Sequence, residues 1–171
     1  MKKLLILATP RSGSSALYQA IASNYFEYHA YYEPWSQWNH VQPKGQCLVK
    51  SLVNHLPEWS HVVNQYDKVI FISRRDREAG LKSYIQAEYE RNFVDKYKPN
   101  PNIPEKYGIR DHYMNTHFML EQVAKNNKIW YYEDLFYNRI EIDKLIRYHG
   151  LKIRHADRFY NYFKPQYAYE Y

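Results

Sequence analysis

Three groups of residues in this chain have types and spacings suited to chemistry. Arg11 stands in Thr9-Pro10-Arg11-Ser12-Gly13-Ser14-Ser15, directly after the apolar run Leu4 to Ala8. Ala16, Leu17, Ala20 and Ile21 follow at helical spacing, which predicts a strand, a tight turn and a helix beginning above the turn. Such a helix N-terminus offers unpaired N–H groups and a partial positive charge, and both suit phosphate or sulfate. Arg75 comes at the end of a second apolar run, Lys68 to Ser73 (KVIFIS), and Ser83 follows eight residues later. A forked guanidinium and a hydroxyl can share the oxygens of one phosphate. The third group is Glu33, in Tyr31-Tyr32-Glu33-Pro34-Trp35, with Lys50 and His55 from CLVKSLVNHLPEW at 47–59. These supply two candidate proton acceptors and a cation.

The first turn can be compared with the nucleotide-binding pattern GxxxxGK[ST]. Ala8 takes the place of the first glycine, Gly13 matches the second and Ser15 matches the hydroxyl, but Ser14 replaces the lysine. A nucleoside triphosphatase needs that lysine on its β- and γ-phosphates. The turn therefore suits a phosphate-like group and is poorly built for ATP. Read singly, each motif also has a plain structural meaning. PRSGSS would then be a serine-rich helix start, and RRDRE at 74–78 a solvated one with Asp76 as its N-cap.

Together the motifs say more. PRSGSS resembles the 5′-phosphosulfate loop of sulfotransferases, and Arg75 with Ser83 resembles the family's 3′-phosphate motif. Tyr131 to Phe136 (YYEDLF) looks like its later YEDL segment. They occur in the family's order, and the resemblance to 3′-phosphoadenosine 5′-phosphosulfate-dependent sulfotransferases covers about Leu4 to Leu135 of what would be a short form. It implies a P-loop-NTPase-like fold and this nucleotide as sulfuryl donor. It assigns Arg11, Ser12, Gly13, Ser14 and Ser15 to the 5′-phosphosulfate, and Arg75 and Ser83 to the 3′-phosphate. Transfer from such a donor requires no metal. Glu33 is the favoured base, by similarity to carbohydrate and tyrosyl-protein sulfotransferases, which carry a glutamate in the matching region. His55 competes with it: small-molecule sulfotransferases have a KTHLP-like segment, but here Leu52 fills the histidine's place and His55 comes three residues later. Lys50 is expected on the sulfonate or the acceptor. The acceptor is a hydroxyl of a sugar, a tyrosine or a lipid head group. Tyr31, Tyr32, Trp35 and Trp38 around Glu33 favour the sugar. The family's C-terminal RKG loop is missing, leaving Arg154, Arg158 or Lys164 to replace its phosphate contact. Two subunits of a homodimer would be one way to complete an open acceptor site.

The elements that must position these groups alternate. Strands are expected near Leu4–Ala8, Glu27–Glu33, Cys47–Leu52, Lys68–Ser73 and Lys128–Tyr132. Helices are expected from Ala16 onward and over Pro57–Tyr66, Arg77–Phe93, Arg110–Asn126, Arg139–His149 and His155–Phe163, with a proline-rich loop at Asp95–Gly108. Alternation of this kind predicts one α/β domain over 1–171, three layers around a mainly parallel sheet. Ligands of such sheets bind beyond the strands' carboxyl ends, where Arg11, Glu33, Lys50 and Arg75 are expected.

Composition narrows the partners. The 171 residues include 45% hydrophobic and 25% charged side chains, ordinary for a globular protein, and 20 tyrosines, which are far above normal. The net charge of +6 favours an anionic ligand. A single cysteine, Cys47, excludes an internal disulfide and a cysteine-based metal cluster. His112 and His117, five apart on one expected helix, do not share a face, so no metal site is expected. The start MKKLLILA imitates a signal peptide, but its apolar run is short and passes straight into the turn. A cytoplasmic protein without a membrane span is therefore expected. Two other functions fit parts of the sequence: a P-loop kinase of a small molecule, against which the missing lysine argues, and a non-catalytic module binding nucleic acid or another polyanion. The second does not explain why Arg11 and Arg75 each sit at an expected strand end, and nucleic acid is not the expected partner.

Overall fold

The structure, a computed structural model, describes residues 3–25, 28–36, 41–56, 59–90 and 102–163. Five strands, β1 (Lys3–Ala8), β2 (His29–Tyr32), β3 (Cys47–Leu52), β4 (Lys68–Ser73) and β5 (Ile129–Tyr131), form one sheet in the order β2-β3-β1-β4-β5. Every pairing is parallel, so the mainly parallel sheet expected from the alternation is wholly parallel. Parallel neighbours need crossovers, and these are the helices α1 (Ser14–Ala22), α2 (Trp59–Val63), α3 (Arg77–Glu90) and α4 (Ile109–Ala124). After β5 come α5 (Tyr132–Tyr137), α6 (Arg139–His149) and α7 (Ala156–Asn161).

β1 lies at the centre of the sheet, and its sequence shows why. A strand covered on both faces reads as a continuous apolar run, and Leu4 to Ala8 are all 0–1% exposed. Alternate side chains serve opposite faces. Leu4, Ile6 and Ala8 join a core with Leu17 and Ile21 of α1, Leu145 of α6 and Phe159 of α7. Leu5 and Leu7 join Val49, Phe71 and Leu120 of α4 on the other side. The sheet is thus flanked by helices on both faces.

The expected elements are present with trimmed ends. The strand expected over Glu27–Glu33 is β2, with Glu27 outside the described residues; it stops at Tyr32 because Glu33 turns out of the ladder with φ 47°. The helix expected over Pro57–Tyr66 is the five-residue α2. Two elements were not anticipated: a single 3₁₀ turn at Val53–His55 and α5, which continues directly from β5. Residues 95–101 of the Asp95–Gly108 loop, with Trp38 and Lys164, lie outside the described residues. Among the described residues no helix is long and apolar enough to cross a membrane.

Candidate functional site

The chain passes from β3 on one side of β1 to β4 on the other, so the carboxyl end of β1 lies at the point where strand order reverses, the usual ligand crevice of open parallel sheets. The Thr9–Gly13 turn occupies this position. Thr9 N–H still donates to the Ile72 carbonyl at 3.2 Å, continuing the β1–β4 ladder by one step. Ser12 Oγ then donates back to the Thr9 carbonyl at 2.7 Å and braces the turn from inside. Arg11 (φ 59°) and Gly13 (φ 73°) are both left-handed. At Gly13 this suits the glycine, which is the N-cap of α1 and carries no side-chain cap. No capping side chain therefore competes for the N–H groups of the first turn. A Cβ on Gly13 would lie 2.5 Å from Phe136 Cε2 and 2.8 Å from Tyr132 Cδ2. Those two rings stack at 4.5 Å, and α5 thus packs against the turn with the YYEDLF segment.

A second group forms beside it. Lys50, on β3, is 2% exposed, and an ammonium so buried needs a counter-charge. Its Nζ donates to Glu33 Oε1 and lies 4.5 Å from the centre of the Tyr32 ring. Glu33 N–H donates to the Lys50 carbonyl at 2.7 Å, so backbone and side chain fasten the same two residues. The 3₁₀ turn after β3 brings His55 back toward them, with Nδ1 3.7 Å from Glu33 Oε2. This nitrogen is buried and makes no hydrogen bond. Burial pushes the His55 pKa below the ordinary histidine value; Glu33 opposes this shift, while Lys50 and His112 add to it. His55 is therefore a neutral imidazole at neutral pH. The structure brings Glu33, Lys50 and His55 together although 22 positions separate the outermost two in sequence.

The two groups are physically joined. Ser15, in the first turn of α1, shares a 2.7 Å hydrogen bond with Tyr32 Oη, and the Tyr32 ring carries the Lys50 ammonium. The path runs from the Thr9–Gly13 turn through Ser15, Tyr32 and Lys50 to Glu33 and His55.

The third group is divided. Arg75 is 59% exposed in its side chain and forks onto Asp134, with Nη1 and Nη2 at 3.0 and 2.7 Å from the two carboxylate oxygens. Asp134 raises its pKa. Ser83 lies elsewhere: its Oγ accepts from Arg11 Nε at 2.9 Å. Ser83 and Arg75, expected to share one phosphate, thus each have another side-chain partner here, Arg11 for Ser83 and Asp134 for Arg75. Arg74 is the more enclosed of the two arginines. Its guanidinium sits 4.8 Å over the Tyr132 ring and 3.5 Å from Glu133, with a buried Nε that makes no hydrogen bond. Asp76 caps α3 as expected, accepting from Ala79 N–H at 2.9 Å. Glu133 accepts from the N–H groups of Arg75 and Asp76 at 2.9 and 3.1 Å and so fixes the β4–α3 turn.

Some participants give no signal in the sequence. Thr9 Oγ1 lies 3.4 Å from Ser73 Oγ, which is 3.1 Å from His117 Nδ1. Burial drops the His117 pKa to about 4, so the imidazole beneath the turn is neutral. Forty-four positions separate Ser73 from His117, and no spacing rule connects them. The aromatic platform expected around Glu33 is only partly present. Tyr32 is 45% exposed, but Trp35 packs edge-on against Tyr66 in the core. Among the described residues no cluster of three or more His, Cys, Asp or Glu is placed to hold a metal ion. Comparison of the chain with protein-family models, with curated proteins and with solved structures finds no match.

Proposed function

We propose that this chain is a sulfotransferase of P-loop-like fold, moving a sulfuryl group from 3′-phosphoadenosine 5′-phosphosulfate to an acceptor hydroxyl. The observation that carries this reading is the joining of the Arg11 turn to the Glu33–Lys50–His55 group through Ser15 and Tyr32. An anion cradle, a buried cation and a neutral base lie side by side at the strand ends. The turn fits a sulfonated phosphate: it has a cation, a glycine-capped helix start and no lysine at the position a triphosphate requires.

The roles follow from the geometry. Arg11 and the N–H groups of Ser12, Gly13, Ser14 and Ser15 bind the 5′-phosphosulfate, and Lys50 offsets charge on the transferring oxygens. His55, neutral and facing Glu33, takes the acceptor's proton. Glu33, with Oε2 3.7 Å from Nδ1, stabilises the imidazolium that forms. With its other oxygen held by Lys50, Glu33 is better placed to position the base than to act as one. Arg75 and Arg74 are the cations available for a second phosphate. The donor supplies an activated sulfuryl group. Positioning and electrostatics are what remain for the protein, by analogy with phosphoryl transfer.

Calorimetry with 3′-phosphoadenosine 5′-phosphate tests the reading. Arg11→Ala should weaken binding roughly tenfold to a hundredfold, the loss of a charged hydrogen bond of about 1.5–3 kcal/mol. His55→Ala should spare binding and abolish transfer. Absence of nucleotide binding by the unaltered protein overturns the assignment.

A further inference from the structure

A second concentration of charge lies at the other end of the sheet. Lys68 opens β4, Gln46 precedes β3, and Lys152 and Arg154 follow α6. Together with Tyr25 and Tyr28 they enclose a hollow of about 400 Å³. A six-residue strand separates this end from the Arg11 turn, roughly 17 Å at about 3.3 Å per residue. The hollow is therefore distinct from the candidate active site.

The segment that bears its cations is held in place. Asn24, fully buried at the end of α1, accepts through Oδ1 from the N–H groups of Arg154 and His155 at 3.0 and 2.9 Å. Tyr25 Oη accepts from Lys152 N–H. Ile153, between the two cations, packs toward the core. Lys152 and Arg154 are both exposed and both line the hollow. Lys68 Nζ donates to the His149 carbonyl, a neutral partner, and among the described residues Lys68 has no ion pair. Among the described residues Lys152 has no ion-pair partner. A second hollow adjoins the first at Arg154 and adds His155 and Arg158. The two hollows place Lys68, Lys152, Arg154 and Arg158 along one track, against the acids Asp67 and Asp157.

We infer that this track binds a linear anionic polysaccharide, a sugar chain bearing sulfate or carboxylate groups. Several cations spread over two adjoining hollows match a polymer bearing many charges better than a single small anion. The aromatic groups decide against single-stranded nucleic acid. Bases need open ring faces to stack on, whereas Tyr25 is 8% exposed and packs edge-on against Tyr28 at 5.3 Å. The inference rests on this face alone and not on the sulfuryl-transfer reading.

The test is titration of the full chain with a size-defined sulfated hexasaccharide between about 50 and 200 mM salt. The double variant Lys152→Glu/Arg154→Glu should bind at least about tenfold more weakly at the low-salt end. Its slope of log affinity against log salt should be shallower by about two, one for each cation removed. Lys152→Gln/Arg154→Gln removes the same two cations, so its slope should fall by about the same two while its affinity falls by less, with 3′-phosphoadenosine 5′-phosphate binding unchanged in both variants. The inference is overturned if the unaltered protein does not bind the sugar, or if the double variants bind it equally well. It is also overturned if Arg11→Ala weakens it as much as they do, or if a single-stranded oligonucleotide of equal charge binds more tightly. Sugar binding without nucleotide binding would leave this inference standing and remove only the sulfotransferase reading.

Discussion

Lys50 gives the sharpest test of how the candidate site is built. Its side chain is 3% exposed against 20% for Glu33, so the two partners are not equivalent. Glu33→Ala strands an ammonium beneath α1 with little access to water. Breaking a buried pair in this way costs about 3–5 kcal/mol, and the partial exposure of Glu33 puts the expected loss near the lower end, about 3 kcal/mol. Alanine keeps the left-handed strain at this position, so the backbone contribution cancels. Lys50→Met removes the buried charge and keeps most of the volume, while the carboxylate keeps water and His55 as neighbours. That change should cost only about 1 kcal/mol. The double variant should resemble Lys50→Met, giving a coupling of about 3 kcal/mol between the sites. Urea unfolding with an unchanged m-value measures all three. Additive losses, or a Glu33→Ala loss below about 1 kcal/mol, would refute the buried-pair reasoning.

Gly13→Ala should destabilise the fold by about 2–5 kcal/mol, combining a left-handed φ with a Cβ driven into Phe136 and Tyr132; thermal unfolding reads this directly. His149 has its pKa lowered to about 4 by burial, then by Lys68 and Lys128, and His117 is lowered similarly. Both take up protons more readily when unfolded, so stability should be full above pH 6.5 and fall as pH drops toward 4. Two such groups are worth on the order of 4 kcal/mol at about pH 5, and denaturant curves along that range measure the loss. His149→Gln should flatten the fall. His55 is shifted in the same direction, so the acid limb of the transfer rate should lie below the ordinary histidine pKa. A limb above pH 6.5 would contradict a neutral His55 base.

The sheet was legible because β1 and β4 are unbroken apolar runs, which only burial on both faces explains. The grouping of Arg11, Glu33 and Lys50 at strand ends was legible for the same reason. The partner of Ser83 was not. Eight residues of spacing say that a serine lies two turns into a helix, but not which loop that helix crosses, and α3 crosses Arg11. His55 was discounted because it stands three residues later than a familiar position. The 3₁₀ turn at Val53–His55 takes up the difference, and such a turn has no strong sequence signature. The Asn24 hydrogen bonds that hold Arg154 and His155 span about 130 positions, and no local pattern reports them.

Register and strain together account for the geometry around Lys50. Tyr32 and Lys50 are direct partners in the β2–β3 pairing, as Ile6 and Lys50 are in β1–β3. Partners in register share a face, so the Tyr32 ring must lie beside the Lys50 stem, and a slip of one residue would turn it away. Glu33 is the next residue, and a straight strand would send its carboxylate to the opposite face. Its φ of 47° ends the strand instead and returns the carboxylate to Lys50. A left-handed glutamate costs on the order of 1–3 kcal/mol, which the buried ammonium offsets only if the two charges meet. Arg11 has the same kind of backbone, and among the described residues Lys125 is the one other non-glycine with positive φ. Strain thus falls on the cation of the Thr9–Gly13 turn and on the carboxylate beside His55. Both are residues whose side chains must point where a relaxed backbone would not send them.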